Sequence, residues 1–270
     1  MTTATASPAS VGDLLRDWRQ RRHLSQLDLA LDAEVSTRHL SFVETGRARP
    51  SRDLVLHLAE QLDVPLRERN TLLLSAGYAP IFRETPLEQP EMASVREALD
   101  RILAGHEPYP AIAVDGHWNL VSNNRPATSL LAAGVSPALL APPANALRIA
   151  LHPDGLGPRI LNFGEWSEHL ISRLHRQAVA SGDAELARLE EELRGYPGVR
   201  SEASAHVEAT PHLYVPLVLQ GPDGGELRFF STISTFGTAL DITMAELAIE
   251  CFFPADEHTA ATFRALAPSA

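Results

Sequence analysis

Residues 24–51, LSQLDLALDAEVSTRHLSFVETGRARPS, constrain this chain more than any other stretch. Ser25 followed three residues later by Asp28 is a helix-opening pattern, a hydroxyl taking one backbone amide while the carboxylate takes another. Ser36 opens a second helix, which runs to about Thr45 and stops at Gly46. Only Ala33, Glu34 and Val35 lie between them, so two helices of about two turns must meet across a sharp corner. In the second helix Leu40 and Val43 face inward, and Ser36, Thr37, Arg38, Ser41 and Phe42 face outward.

The flanks extend this pair into a five-helix domain over residues 1–77. Asp13–Arg22 carries Leu15 and Trp18 on one face. Ser51 caps a fourth helix, in which Leu54, Val55, Leu58 and Leu62 recur at helical spacing. Pro65 starts a fifth, which continues through Leu72, Leu73 and Ala76 to Gly77. A proline-containing linker and a connecting helix, Pro90 to about Leu103, fill residues 78–104. Residues 105–270 change character to a mixed α+β domain. Ala111–Asp115 and Trp118–Asn123 read as a hairpin, and residues 125–200 read as mainly helical, with Asp183 capping one helix. Leu213–Leu219, Leu227–Phe236 and Glu246–Phe253 read as strands, and Asp256 caps a last helix.

A short helix pair of this size is one way to read DNA, with the N-terminal residues of the second helix at the base edges. Arg38 suits guanine O6 and N7, and Thr37 or Phe42 suits a thymine methyl. Gln26, at the start of the first helix, suits a phosphate, as do Arg47 and Arg49. Charge placement agrees. The net charge is −11, yet residues 1–80 hold 10 Arg against 10 acidic residues, while residues 81–270 hold 13 against 24. DNA contact is therefore expected from the first 80 residues. One reading helix covers few base pairs, so a homodimer is expected.

The same residues carry a family resemblance. Over about 11–75, the LSQ opening and the Glu44–Arg47 ending resemble the lambda-repressor/Cro (XRE) helix-turn-helix regulators, with Glu34 standing where that family often has glycine. STRHLSFVETGRARPS, NTLLLSAGYAP, HEPYPAIAVDGHWNLVSNN, LHPDGLGPRILNF and FFSTISTFGTALDITMAELAIECFFPAD resemble the MmyB-like regulators. That resemblance implies a PAS-like C-terminal domain, built on a five-stranded antiparallel sheet, and a small apolar, fatty-acid-like ligand that modulates DNA binding. Candidate pocket residues are Trp118, Asn124, Phe163, Trp166, Tyr214, Phe230 and Phe236, with Arg148 or Arg228 for a ligand carboxylate. A constitutive DNA-binding protein, whose second domain dimerises or recruits partners, stays open as the alternative.

Other chemistry has little support. Cys251 is the single cysteine, so neither an intrachain disulfide nor a cysteine zinc site is expected. His169 and His175, like His206 and His212, are six residues apart, which does not place two imidazoles on one helix face. Gly221–Gly225 falls between strands and reads as a hairpin turn. No enzyme activity, metal or cofactor is expected. The opening MTTATASPAS lacks the marks of a signal peptide, and no apolar run nears the ~18 residues of a membrane span, so a cytoplasmic location is expected.

Overall fold

The computed structural model describes residues 9–199, 213–221 and 224–266. The chain divides into two compact units, 1–84 with 240–242, and 85–239 with 243–270.

The first unit contains five helices: α1 (Val11–Arg21), α2 (Gln26–Asp32), α3 (Thr37–Glu44), α4 (Arg52–Gln61) and α5 (Leu66–Ser75). Four of them open with the same device. Ser10, Ser25, Ser36 and Ser51 each accept a hydrogen bond from the backbone amide three residues on, at 3.1–3.2 Å. Asp13 and Asp28 return the bond to the cap residue, completing capping boxes. α1 therefore starts two residues before the Asp13 expected from its apolar spacing. Chain reversals follow α1, α2 and α4 at His23, Glu34 and Asp63, all with positive φ. Glu34, at φ +51, takes the left-handed turn that glycine would take without strain.

Leu15, Trp18, Leu29, Leu40, Val55, Leu58 and Leu72 form a fully buried core, each such side chain stabilising the unit by about 1.5–3 kcal/mol. Gly12 sets the closeness of α1 to α3, because a Cβ there would lie 2.4 Å from the Val43 carbonyl oxygen. Residues 78–84, read from sequence as linker, belong to this unit. Tyr78 donates to the Pro50 carbonyl at 3.0 Å, and Asn70 accepts from the amides of Ile81 and Phe82.

The second unit begins with a 3₁₀ turn (Pro90–Met92) and α6 (Ala93–Gly105). Then come β1 (Ala111–Val114), β2 (Leu120–Asn123), α7 (Arg125–Ala132), α8 (Pro137–Leu140), α9 (Ala146–Leu151), α10 (Phe163–Ser181) and α11 (Ala184–Arg194). β3 (Leu217–Gln220), β4 (Glu226–Thr235), α12 (Ile242–Glu246), β5 (Ala248–Pro254) and α13 (Glu257–Leu266) complete it, although Ile242 of α12 groups with the first unit. The five strands form one antiparallel sheet in the order β2-β1-β5-β4-β3. Register is specific: Ala113 sits opposite Ile249, Ser231 opposite Phe252 and Val218 opposite Arg228.

Alternation gives the sheet two different faces. Ala111, Ala113, Leu247 and Ile249 pack against Leu99 and Leu103 of α6. Val114, Leu217, Leu219, Leu227 and Phe229 join the larger core, with Trp166, Leu170 and Leu174 of α10 and Leu186, Leu189 and Leu193 of α11. Val95, Leu99 and Leu103 of α6 are thus spent on its own sheet, while Ile102 is exposed.

Two strand readings are corrected. Leu213 and Val215 precede β3, and Leu213 is fully exposed, because pairing with β4 begins only at Leu217. The helix formers of MAE belong to α12, which ends before β5 begins at Ala248. Pro222 and Asp223 of the expected glycine-rich turn, together with His206 and His212, lie outside the described residues.

Candidate functional sites

The first site is the outward face of α3. Leu40 and Val43 are each 1% exposed and anchor the helix, while Thr37, Arg38 and His39 face outward and Ser41 and Phe42 are half-buried. Phe42 carries two cations, with the guanidinium carbons of Arg38 and Arg47 at 5.3 and 5.9 Å from its ring centroid. These rings and cations are placed by α3 and by the Thr45–Arg47 turn, where the amide of Arg47 returns to the Phe42 carbonyl at 2.8 Å.

Other residues of the expected DNA set are committed within the fold. Ser36 serves as the α3 cap. Gln26 donates its side-chain amide to Glu44 Oε2 at 2.8 Å, and Asp28 already accepts the neighbouring Ser25 amide. Arg49 donates from Nη2 to the Ala76 carbonyl at 3.0 Å and lies over Tyr78, tying down the end of α5. Behind the surface, Glu44 is buried and takes both nitrogens of an Arg19 fork. Burial pushes the Glu44 carboxyl up, but hydrogen bonds from Arg19 and Gln26 outweigh that and hold it below its ordinary range.

The second site is a chamber between the larger-core face of the sheet and helices α7, α9 and α10. Its cavity volume is about 100 Å³. Ile112 and Leu120, Leu130 and Leu131, Leu147 and Ile149, Trp166 and Leu170, and Phe229 and Phe252 line it. Among the described lining residues only Arg173 and Glu250 are charged, and they pair at 3.1 and 3.3 Å. The Arg173 guanidinium lies 4.2 Å over the ring of Trp118. Trp118 holds a left-handed backbone, φ +68, strained for so large a residue, while its indole N–H donates to Gln177 at 2.8 Å.

Of the expected pocket residues, Trp118 and Trp166 are on the wall and the other seven are elsewhere. Asn124 is a structural cap of α7: its oxygen accepts from Ala111 and Ala127, and its nitrogen donates to Leu103 and Tyr109. Phe163 packs at the outer margin of the core. Strand parity explains two more, Phe230 and Arg228. Phe229 faces the chamber, so Phe230 must face away, where it stacks on Phe253 at 5.2 Å and meets the half-exposed Tyr214. Arg228 also points away and pairs with Glu226 at 3.0 Å. Phe236 lies beyond the end of β4, against the α6-side core. Arg148 borders a separate polar cleft, bound by both oxygens of Glu192 at 2.7 and 2.8 Å.

Sequence reading missed Arg173 and Glu250, although each leaves a signal. Arg173 falls on the buried stripe of α10, seven residues after Trp166, and Glu250 interrupts the apolar run of β5. Among the described residues, no group of histidine, cysteine and carboxylate side chains is arranged to hold a metal ion, and no helix is long and apolar enough to cross a membrane.

Comparison with known families matches residues 95–266 to the MmyB-like transcription regulator ligand binding domain, and residues 15–69 to a helix-turn-helix domain. No curated protein matches. Among solved structures the chain is similar to an RNA-binding light-oxygen-voltage receptor, at 14% identity and a TM-score of 0.30. That alignment covers 98% of this chain and spans 64% of the receptor's length, a likeness too distant to carry an argument.

Proposed function

The chain belongs to the MmyB-like transcription regulators, DNA-binding proteins with a ligand-binding domain, and from that premise we propose that it reads a specific DNA sequence under the control of a small apolar ligand of fatty-acid type. The observation that carries the ligand reading is the chamber, whose described wall is apolar apart from one ion pair. Thr37, Arg38, Ser41 and Phe42 read base edges, and Arg47 contacts phosphate.

One eight-residue helix samples only a few base pairs, so the protein works as a homodimer on a near-palindromic operator. Its half-sites lie roughly 34 Å apart, or a multiple of that. Its partners, duplex DNA and a free small molecule, put its work in the cytoplasm.

β1 and β5 offer a route for ligand information. Ile112 and Phe252 touch the chamber, while their strand neighbours Ala111, Ala113 and Ile249 touch α6. A ligand that spreads or tightens this pair of strands changes the seat of α6. It can shift DNA affinity only by its differential affinity for the two arrangements, about 1–3 kcal/mol or roughly 5–150-fold.

The test is selection of an operator from random duplexes, then measurement of its affinity for delipidated and lipid-loaded protein at one salt concentration. A change within that range supports the reading. Equal affinities reject ligand control and leave the second domain to dimerisation or recruitment.

A further inference from the structure

We propose that Arg38 and Phe42 form one composite reader, which takes a guanine together with a thymine in the next base pair, Phe42 selecting the thymine by its 5-methyl group. The inference rests on the reading of α3 as the base-reading helix, and it names the pair of bases that helix takes.

Three observations point to it. The first is unmet donors. Arg19, Arg22, Arg49 and Arg69 of the same unit each donate to a protein oxygen. The guanidinium N–H groups of Arg38 and Arg47 meet no protein acceptor among the described residues, and each cation instead faces the ring of Phe42, at 5.3 and 5.9 Å. Guanine presents O6 and N7 in the major groove, the pair of acceptors that an arginine fork fits.

The second is placement. Arg38 and Phe42 are four residues apart on α3, so they share one stripe of its surface, one turn apart. Thr37, the other candidate for a thymine methyl, points about 100° round the helix from Arg38. A guanidinium and a ring in contact meet neighbouring base pairs, about 3.4 Å apart along the duplex, rather than separated ones.

The third is the chemistry of the ring. Phe42 has neither donor nor acceptor, and the thymine methyl is the apolar group that the major groove displays. The ring face attracts a cation, so Phe42 also orients the Arg38 fork. Two cations on one ring repel each other, and a phosphate beside Arg47 relieves that repulsion.

The test uses the full chain and the operator selected from random duplexes, with two minimal changes to the DNA at one salt concentration. Uracil in place of the thymine removes only the methyl, and 7-deazaguanine in place of the guanine removes only the N7 acceptor. Uracil is expected to weaken binding about fourfold, and 7-deazaguanine on the order of tenfold. Both ratios are read first on the unaltered protein, so neither depends on a variant folding. In Phe42→Ala the thymine-to-uracil ratio falls to about one, and the 7-deazaguanine penalty shrinks. In Arg38→Ala that penalty disappears while the thymine-to-uracil ratio stays.

A selected operator with no thymine beside a guanine, or equal affinity for thymine and uracil, overturns the composite reader while leaving α3 the reading helix. So does a methyl effect that Thr37→Ala abolishes and Phe42→Ala keeps. A 7-deazaguanine penalty unchanged in Phe42→Ala overturns the orienting role of the ring. If selection yields no preferred sequence, the reading of α3 fails and the composite reader with it.

Discussion

Arg19 and Glu44, 25 residues apart in sequence, meet as a buried fork, Nε to Oε1 at 2.7 Å and Nη2 to Oε2 at 2.8 Å. The pair joins α1 to the last turn of α3, and Gln26 adds α2 through the same Oε2. Glu44 is the first residue of the Glu44–Arg47 segment that carries the family resemblance, and its carboxylate ties the last turn of α3 to α1 and α2. Glu44→Ala is expected to destabilise the first unit by about 3–5 kcal/mol, since it strands the Arg19 charge. Arg38→Ala removes no such partner and should leave the denaturation midpoint near that of the unaltered protein. Equal midpoints for Glu44→Ala and Arg38→Ala would contradict this.

Acid should act through the same pair. The Glu44 carboxyl is held below its ordinary value of 4.5, so its contribution is fully present above that pH and is lost as pH falls through the depressed folded value. Thermal melts of the full chain and of Glu44→Gln, taken downward from about pH 5, should converge as the carboxylate is protonated.

The cleft beside the chamber should show the opposite trend. His117 donates from Nε2 to Asp183 Oδ2 at 2.8 Å, with Glu185 at 3.8 Å. Burial pushes the imidazole down, but the Asp183 hydrogen bond and the charges of Asp183, Glu185 and Asp115 outweigh it and raise it above 6.5. A raised folded value gives stability that is complete below 6.5 and lost as pH climbs through the folded value. Melting temperature should therefore fall as pH rises above 6.5, and His117→Gln should flatten that part of the curve. His169, shifted downward by burial, acts below 6.5 instead, so the two histidines separate by pH window.

Glu34→Gly should stabilise the protein. The left-handed turn at φ +51 costs a non-glycine residue about 1 kcal/mol, and no described hydrogen bond to the Glu34 side chain offsets it. Chemical denaturation reads this directly, and a destabilised variant would mean that the glycine's extra unfolded-state entropy outweighs the strain relieved.

Arg38 and Arg47 flank one ring but should behave differently on DNA. Arg38→Ala is expected to cost about 1–3 kcal/mol and relax preference at one base pair. Arg47→Ala should weaken all sequences alike and reduce the salt slope. Binding curves on the selected operator and its single-base variants, at several salt concentrations, separate the two roles. A uniform loss with Arg38→Ala would show that α3 sits in a different register.

Local chemistry made the helical unit legible in the linear sequence. Ser25, Ser36 and Ser51 announce their helices because a cap bonds an amide only three residues away, and Leu40 and Val43 mark the buried side of α3 by period. The antiparallel hairpin of β1 and β2 was visible for the same reason. The chamber was not. Whether Phe229 or Phe230 faces it depends on the register of β4 against β5, and a one-residue shift exchanges them. Asn124 looked like a ligand contact because its four partners, Ala111, Ala127, Leu103 and Tyr109, converge only after folding. Arg173 and Glu250 are 77 residues apart, as Arg19 and Glu44 are 25 apart, and no local pattern pairs them. The sequence by itself determined where helices begin, which residues α3 presents and the family to which the chain belongs. Tertiary structure decided which charges are buried together, because a buried charge takes whichever opposite partner the packing of distant elements brings within reach.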